Sequence, residues 1–122
     1  MKIAVTARGE TLNSEVDPRF GRAAYFIIVE TETMDFAAIE NENLTAAGGA
    51  GISSAKLVIN AGAEAVLTGN CGPNAQRTLN AANVKLYTGV KGTVAEAVEL
   101  FKGGKLTEST EPNVQSHFGM KK

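Results

Sequence analysis

The stretch Ala65-Val66-Leu67-Thr68-Gly69-Asn70-Cys71-Gly72-Pro73-Asn74-Ala75 decides how this chain is read. A short apolar β-run stops at Gly69, a loop of small residues carries the only cysteine, and Pro73 stands where the first turn of a helix begins. The loop therefore lies at a strand's carboxyl end. In an open α/β sheet that is the edge where ligands bind, because strand ends and helix N-termini meet there and loop N–H groups can face an anion. A plainer reading stands beside it: Gly69, Gly72 and Pro73 make a tight turn, and a lone cysteine is commonly a small buried residue.

On the carboxyl side, helical spacing of Ala75, Leu79 and Ala82 predicts a helix, and Val84-Lys85-Leu86-Tyr87 predicts the next strand. Thr93 with Glu96 three residues on is a capping box opening a helix with an apolar stripe of Val94, Ala97, Val98 and Phe101, closed by Gly103-Gly104. On the amino side, Ile52, Ala55 and Ile59 predict a helix stopped by Gly62. Its N-terminus follows a glycine-rich loop, Gly48-Gly49-Ala50-Gly51, which lacks both the third glycine of a dinucleotide fingerprint and the Lys-Ser or Lys-Thr of a phosphate loop. Earlier still, Ile3-Ala4-Val5 is a short strand, and Tyr25–Glu30 with Phe36–Glu40 reads as an antiparallel hairpin. The order is strand, hairpin, helix, strand, helix, strand, helix. Right-handed crossovers then pair the first strand and the last two in parallel. The expected fold is α/β, a ribonuclease H-like three-layer domain with a mixed five-stranded sheet, one antiparallel hairpin and three helices. Residues 1–104 form the domain, and the polar segment 105–122 is expected to be a disordered tail.

Between the first strand and the hairpin lies Asp17-Pro18-Arg19-Phe20-Gly21-Arg22. Pro18 biases Asp17 toward extended backbone and Gly21 frees the chain to turn, so the segment is an ordered turn. It carries two arginines and an aromatic. Either Phe20 plugs the core while Arg19 and Arg22 pair with carboxylates such as Asp17, each exposed pair worth about 0–1 kcal/mol, or a guanidinium here binds an anionic ligand.

Composition narrows the classes. The 122 residues, 43% hydrophobic, suffice for one core, and a net charge of -1 without a basic run gives no field to gather nucleic acid or anionic lipid. No tryptophan and few aromatics argue against a stacking platform for single strands. No window reaches the roughly 20 apolar residues that span a bilayer. The N-terminus enters a strand directly, so a cytoplasmic location is expected. One cysteine forms no internal disulfide, in keeping with a reducing compartment. Catalysis has little to draw on, since the only histidine, His117, is far in sequence from Cys71 and the strands lack the converging acids of a two-metal site.

Together, Ile3-Ala4-Val5-Thr6, the Asp17–Arg22 turn followed by Tyr25-Phe26, the Gly48–Gly51 loop and Thr68–Ala75 resemble the dinitrogenase iron-molybdenum cofactor biosynthesis family. That family includes NifX, NafY and the C-terminal domain of NifB, and the likeness covers residues 1–104. The resemblance implies a ribonuclease H-like fold and a non-enzymatic carrier of an iron-sulfur or iron-molybdenum-type cluster, with a cluster-assembly or client metalloprotein as partner. It implies Cys71 as the metal ligand and Arg19, Phe20, Gly21, Arg22, Gly48, Gly49, Gly51, Gly69, Asn70 and Gly72 as the residues around the cluster. Sulfide already saturates most metal sites of a preassembled cluster, so one thiolate plus cations that offset its charge would serve. A helix N-terminus would favour the Cys71 thiolate. Nitrogen-fixation relatives carry a histidine where this chain has Arg19, which cannot ligate metal and carries over as a charge partner. The alternative expectation is a regulatory module that senses a small anion at the same loops and acts through a protein partner.

Overall fold

The computed structural model describes residues 1–42 and 50–109. Strands β1 (Lys2–Ala7), β2 (Tyr25–Glu30), β3 (Phe36–Glu40), β4 (Ala65–Leu67) and β5 (Lys85–Tyr87) form one sheet in the order β3-β2-β1-β4-β5. Helix α1 (Ala50–Asn60) leads into β4, α2 (Pro73–Ala81) into β5, and α3 (Val94–Lys102) follows. β1 sits at the centre, antiparallel to β2 from Lys2↔Glu30 to Ala7↔Tyr25 and parallel to β4 from Ile3↔Ala65 to Val5↔Leu67. The two helical crossovers enforce the parallel pairs, and the polar Thr31–Asp35 link allows only the antiparallel hairpin of β2 and β3. Each strand expected from the apolar runs is present, β2 and β3 with the expected bounds and the others within one or two residues.

Side chains alternate across the sheet, so every strand but β3 feeds two cores. Ala4, Phe26, Ile28, Val66 and Leu86 pack with Ala55 and Val58 of α1 and Ala75 and Leu79 of α2. Ile3, Val5, Ile27, Val29 and Leu67 pack with Val94, Ala97 and Val98 of α3. Helices thus cover both faces. The capping box of α3 forms as the sequence predicts, with Thr93 Oγ1 accepting from the Glu96 N–H at 3.1 Å and Glu96 Oε1 accepting from the Thr93 N–H at 2.9 Å. Gly62, at φ +89°, turns the chain out of α1.

One expectation changes here. The chain does not leave the body at Lys105: the Ser109 N–H donates to the Leu86 carbonyl at 2.7 Å, and Gln76 Nε2 donates to the Ser109 carbonyl at 3.2 Å. Glu108 makes a β-bridge with Tyr87. The segment is polar because it adds to the sheet edge through backbone groups, which leave no apolar pattern. Residues 110–122, with His117, lie outside the described residues. No helix among the described residues is long and apolar enough to cross a membrane.

Candidate functional site

The two segments singled out from sequence are laced together at the carboxyl ends of β1 and β4. The Asn70 N–H donates to the Pro18 carbonyl at 2.7 Å, and the Phe20 N–H donates to the Asn70 carbonyl at 3.1 Å. A short parallel bridge joins Arg19 to Asn70. Such an approach leaves no space for a side chain at Gly69, where a Cβ would stand 2.7 Å from Pro18 Cα and 2.8 Å from its oxygen. Beneath the bridge, the Thr6 hydroxyl donates to the Asp17 carbonyl at 2.7 Å and lies 2.8 Å from the Thr68 hydroxyl.

Asp17 anchors the turn from within. Only 1% exposed, its carboxylate accepts from the N–H of Arg19 at 3.0 Å, from the N–H of Ala24 at 3.2 Å, and from Arg19 Nε at 3.3 Å. The Arg19 side chain itself remains 61% exposed, so the pairing with Asp17 leaves one face of the guanidinium toward solvent. Arg22 is exposed as well.

The turn continues into a packed junction. A Cβ at Gly21 would meet the Cα and N of Gly51 at 3.0 Å, and one at Gly51 would meet the Ala75 Cβ at 3.2 Å. Gly21, the start of α1 and the start of α2 therefore touch, and they wall a cleft of about 220 Å³ lined by Gly21, Gly51, Ile52, Gly72, Pro73, Asn74 and Ala75. Asn41 Nδ2 fixes one wall by donating to the carbonyls of Gly21 at 3.2 Å and Ala23 at 2.8 Å, and the Ser54 hydroxyl donates to Gly21 at 3.4 Å. Gly72, the N-cap of α2, is the exception among these glycines: nothing lies within 4 Å of where a Cβ would stand. At the mouth, Asn74 Oδ1 accepts from Arg77 Nη1 at 3.0 Å.

At two positions the side chain follows the plainer of the two sequence readings. Cys71 is 1% exposed, packs in the core with Phe20 and Ala75, and its thiol donates to the Gly72 carbonyl at 3.7 Å. Burial pushes the thiol up to about 12, the reverse of the expected thiolate, because desolvation disfavours the charged form. Phe20 is 1% exposed and meets Phe26 edge-on at 5.6 Å, so it plugs the core and offers no surface to a ligand. Of the remaining residues, Gly21, Gly51 and Gly72 meet at the cleft, Arg19, Gly69 and Asn70 form the bridge beside it, and Gly48 and Gly49 lie outside the described residues. Sequence reading missed Asn74 and Arg77, whose i, i+3 spacing across the first two turns of α2 was the available signal. No group of three or more His, Cys, Asp or Glu side chains that could hold a metal ion occurs among the described residues.

The family model described as dinitrogenase iron-molybdenum cofactor matches residues 1–104, which span the sheet, all three helices and the cleft. The chain belongs to this family. An uncharacterized protein of Methanocaldococcus jannaschii is 33% identical over 97 residues, which cover 77% of this chain and 82% of that one. Among solved structures, the apo form of the orange protein from Desulfovibrio gigas superposes with a TM-score of 0.90 at 41% identity, covering 92% of this chain and 95% of that one. A Thermotoga protein described as NifB-like gives a TM-score of 0.77 at 39% identity over 88% and 91% of the two chains. Membership of the iron-molybdenum cofactor family associates the chain with metallocluster handling in general.

Proposed function

We propose that this chain is a non-enzymatic carrier that holds an iron-sulfur or molybdenum-iron-sulfur cluster, or a precursor, as an anion in the cleft between the starts of α1 and α2. One observation carries the reading: three segments far apart in sequence, at Gly21, Gly51 and Gly72, converge on one cleft. Gly51 and Ile52 of α1 and Asn74 and Ala75 of α2 lie in first turns, where an amide has no carbonyl one turn back to bind. Each helix start also carries roughly half a positive charge, and together they favour a bound anion. Arg19 and Arg22 come from the turn that contributes Gly21, and Arg77 stands behind Asn74, so cations supplement the amides. No acid, base or nucleophile lines the cleft among the described residues, which suits holding better than chemistry. The sheet order, with β2 alone running against the other four strands, supports a ribonuclease H-like fold.

In this reading Cys71 braces the loop and the cluster keeps its own sulfide ligands. A cluster brings its negative charge with it, so a buried thiol need not ionise to hold it. The test is an anaerobic titration of the protein with preformed iron-sulfur and iron-molybdenum clusters, following visible absorption and bound metal. Wild type takes up cluster stoichiometrically, and Gly72→Val, which fills the cleft where there is room for a side chain, weakens uptake by about tenfold or more, or at least 1.4 kcal/mol. Arg19→Ala weakens it less, and Cys71→Ser leaves it nearly unchanged. Absence of uptake, or loss of uptake in Cys71→Ser while Gly72→Val binds normally, would overturn the proposal.

A further inference from the structure

We infer that β3 is a docking edge for an extended, lysine- or arginine-bearing segment of a partner protein, which adds to the sheet as a further strand. The backbone supports this first. Asn41 N–H donates to the Ala24 carbonyl at 3.1 Å and Glu30 N–H donates to the Asp35 carbonyl at 2.8 Å, which fixes the phase of the β2–β3 ladder. Ala37 and Ile39 therefore turn their N–H and C=O groups toward β2, and Phe36, Ala38 and Glu40 turn theirs outward. β3 ends the sheet, and among the described residues nothing pairs with that outer row. Among the described residues the edge also lacks the usual protection: it has no proline, no lysine and no bulge, and only Ile39 packs against the core, with Phe36 43% exposed. Helix α3 covers the strands nearer the centre and stops short of it.

Charge selects the occupant. Between Arg22 and Lys56 the sequence has no lysine or arginine, yet Glu30, Glu32, Asp35, Glu40 and Glu42 bracket β3. Glu30 is neutralised by the Met1 amino terminus; Glu32, Asp35, Glu40 and Glu42 are exposed. A second copy would bring two such acidic margins against each other without an intervening base, whereas a strand with cations at its ends meets carboxylates at both ends of β3. Main-chain hydrogen bonds supply affinity and the flanking charges supply the choice of partner. The edge also leads to the cleft, since Asn41, next after β3, holds the carbonyl of Gly21. The inference does not depend on what the cleft binds.

The test uses a capped seven-residue peptide of alternating valine and threonine with lysine at both ends, titrated into ¹⁵N-labelled protein. Saturable shifts centred on the amides of Phe36, Ala38 and Glu40 are expected, with about tenfold weaker binding when the terminal residues are glutamate. Ala38→Pro removes an outward N–H without breaking the ladder to β2 and should abolish the shifts. A peptide with its alternate amides N-methylated should fail on the unaltered protein, so the inference does not hang on that variant folding. Equal binding of the lysine and glutamate peptides, or shifts centred elsewhere, would overturn it. So would concentration-dependent dimerisation of the protein alone, seen by sedimentation velocity and lost in Ala38→Pro, which would give the edge to a second copy.

Discussion

Replacing Gly69 by alanine tests whether the turn and the cysteine loop are interlocked through their backbones. The new Cβ would stand 2.7 Å from Pro18 Cα and 2.8 Å from Pro18 oxygen, distances at which main chain and not a flexible side-chain tip must yield. Separating the two segments relieves the clash but lengthens the bonds from Asn70 N–H to Pro18 and from Phe20 N–H to Asn70, now 2.7 and 3.1 Å. Overpacking of this kind costs about 1–3 kcal/mol and each weakened hydrogen bond about 1 kcal/mol, so a loss near 3 kcal/mol is expected. At roughly 4–8 °C per kcal/mol for a domain of about 100 residues, the melting temperature should fall by more than about 10 °C. Gly72→Ala is the control, because nothing lies within 4 Å of its Cβ and its φ of -77° suits any residue; its effect should stay within about 0.5 kcal/mol. Urea denaturation followed by circular dichroism reads both. If Gly69→Ala proves as stable as wild type, the close approach of Pro18 and Gly69 is not a structural constraint and the bridge cannot be what positions the site.

The buried thiol gives stability a pH dependence of definite sign. Cys71 ionises near its ordinary value of 9.0 in the unfolded chain and near 12 when folded, so the unfolded state loses its proton first. The Cys71 contribution to stability should therefore be full below pH 9 and decline between about 9 and 12, by up to about 1.4 kcal/mol per pH unit, so that the decline is shallower in Cys71→Ala. Thiol-specific labelling at neutral pH should likewise be slow until the protein is unfolded, and rapid native labelling would contradict the burial of Cys71. Asp17→Asn replaces one carboxylate oxygen by a donor facing other donors and should cost about 2–4 kcal/mol, whereas Arg19→Ala, at an exposed partner, should cost about 1 kcal/mol or less. Chemical denaturation of the two variants decides the point, and equal losses would mean that the ion pair, not the backbone N–H groups, holds the turn.

Much of the architecture was legible because its causes are local. The apolar run of β2, the Thr93 and Glu96 capping box and the Gly62 stop act over a few residues, and each forms where the periodicity places it. The site was legible only in part. That the segments around Gly21, Gly51 and Gly72 matter could be read from glycine and proline placement, but their convergence depends on contacts between distant backbones. Asp17 looked like a surface partner for arginine and is instead buried, because the turn at Pro18 folds its carboxylate over two backbone N–H groups. For Cys71, the surrounding sequence suits a reactive thiol and a packed one equally, and only the neighbours Phe20 and Ala75 distinguish them. Residues 107–109 carried no strand signal, since an edge segment held by Leu86 and Gln76 needs no apolar alternation.

Where a cluster sits on the protein is the most direct measure of the central claim. Backbone amide spectra recorded before and after loading with a paramagnetic iron-sulfur cluster report proximity residue by residue, without depending on any substitution. The amides of Gly21, Gly51, Ile52, Gly72, Asn74 and Ala75 should broaden first and most, while α3, on the other face of the sheet, stays sharp. Broadening centred away from the starts of α1 and α2, in a sample that has demonstrably taken up cluster, would contradict it.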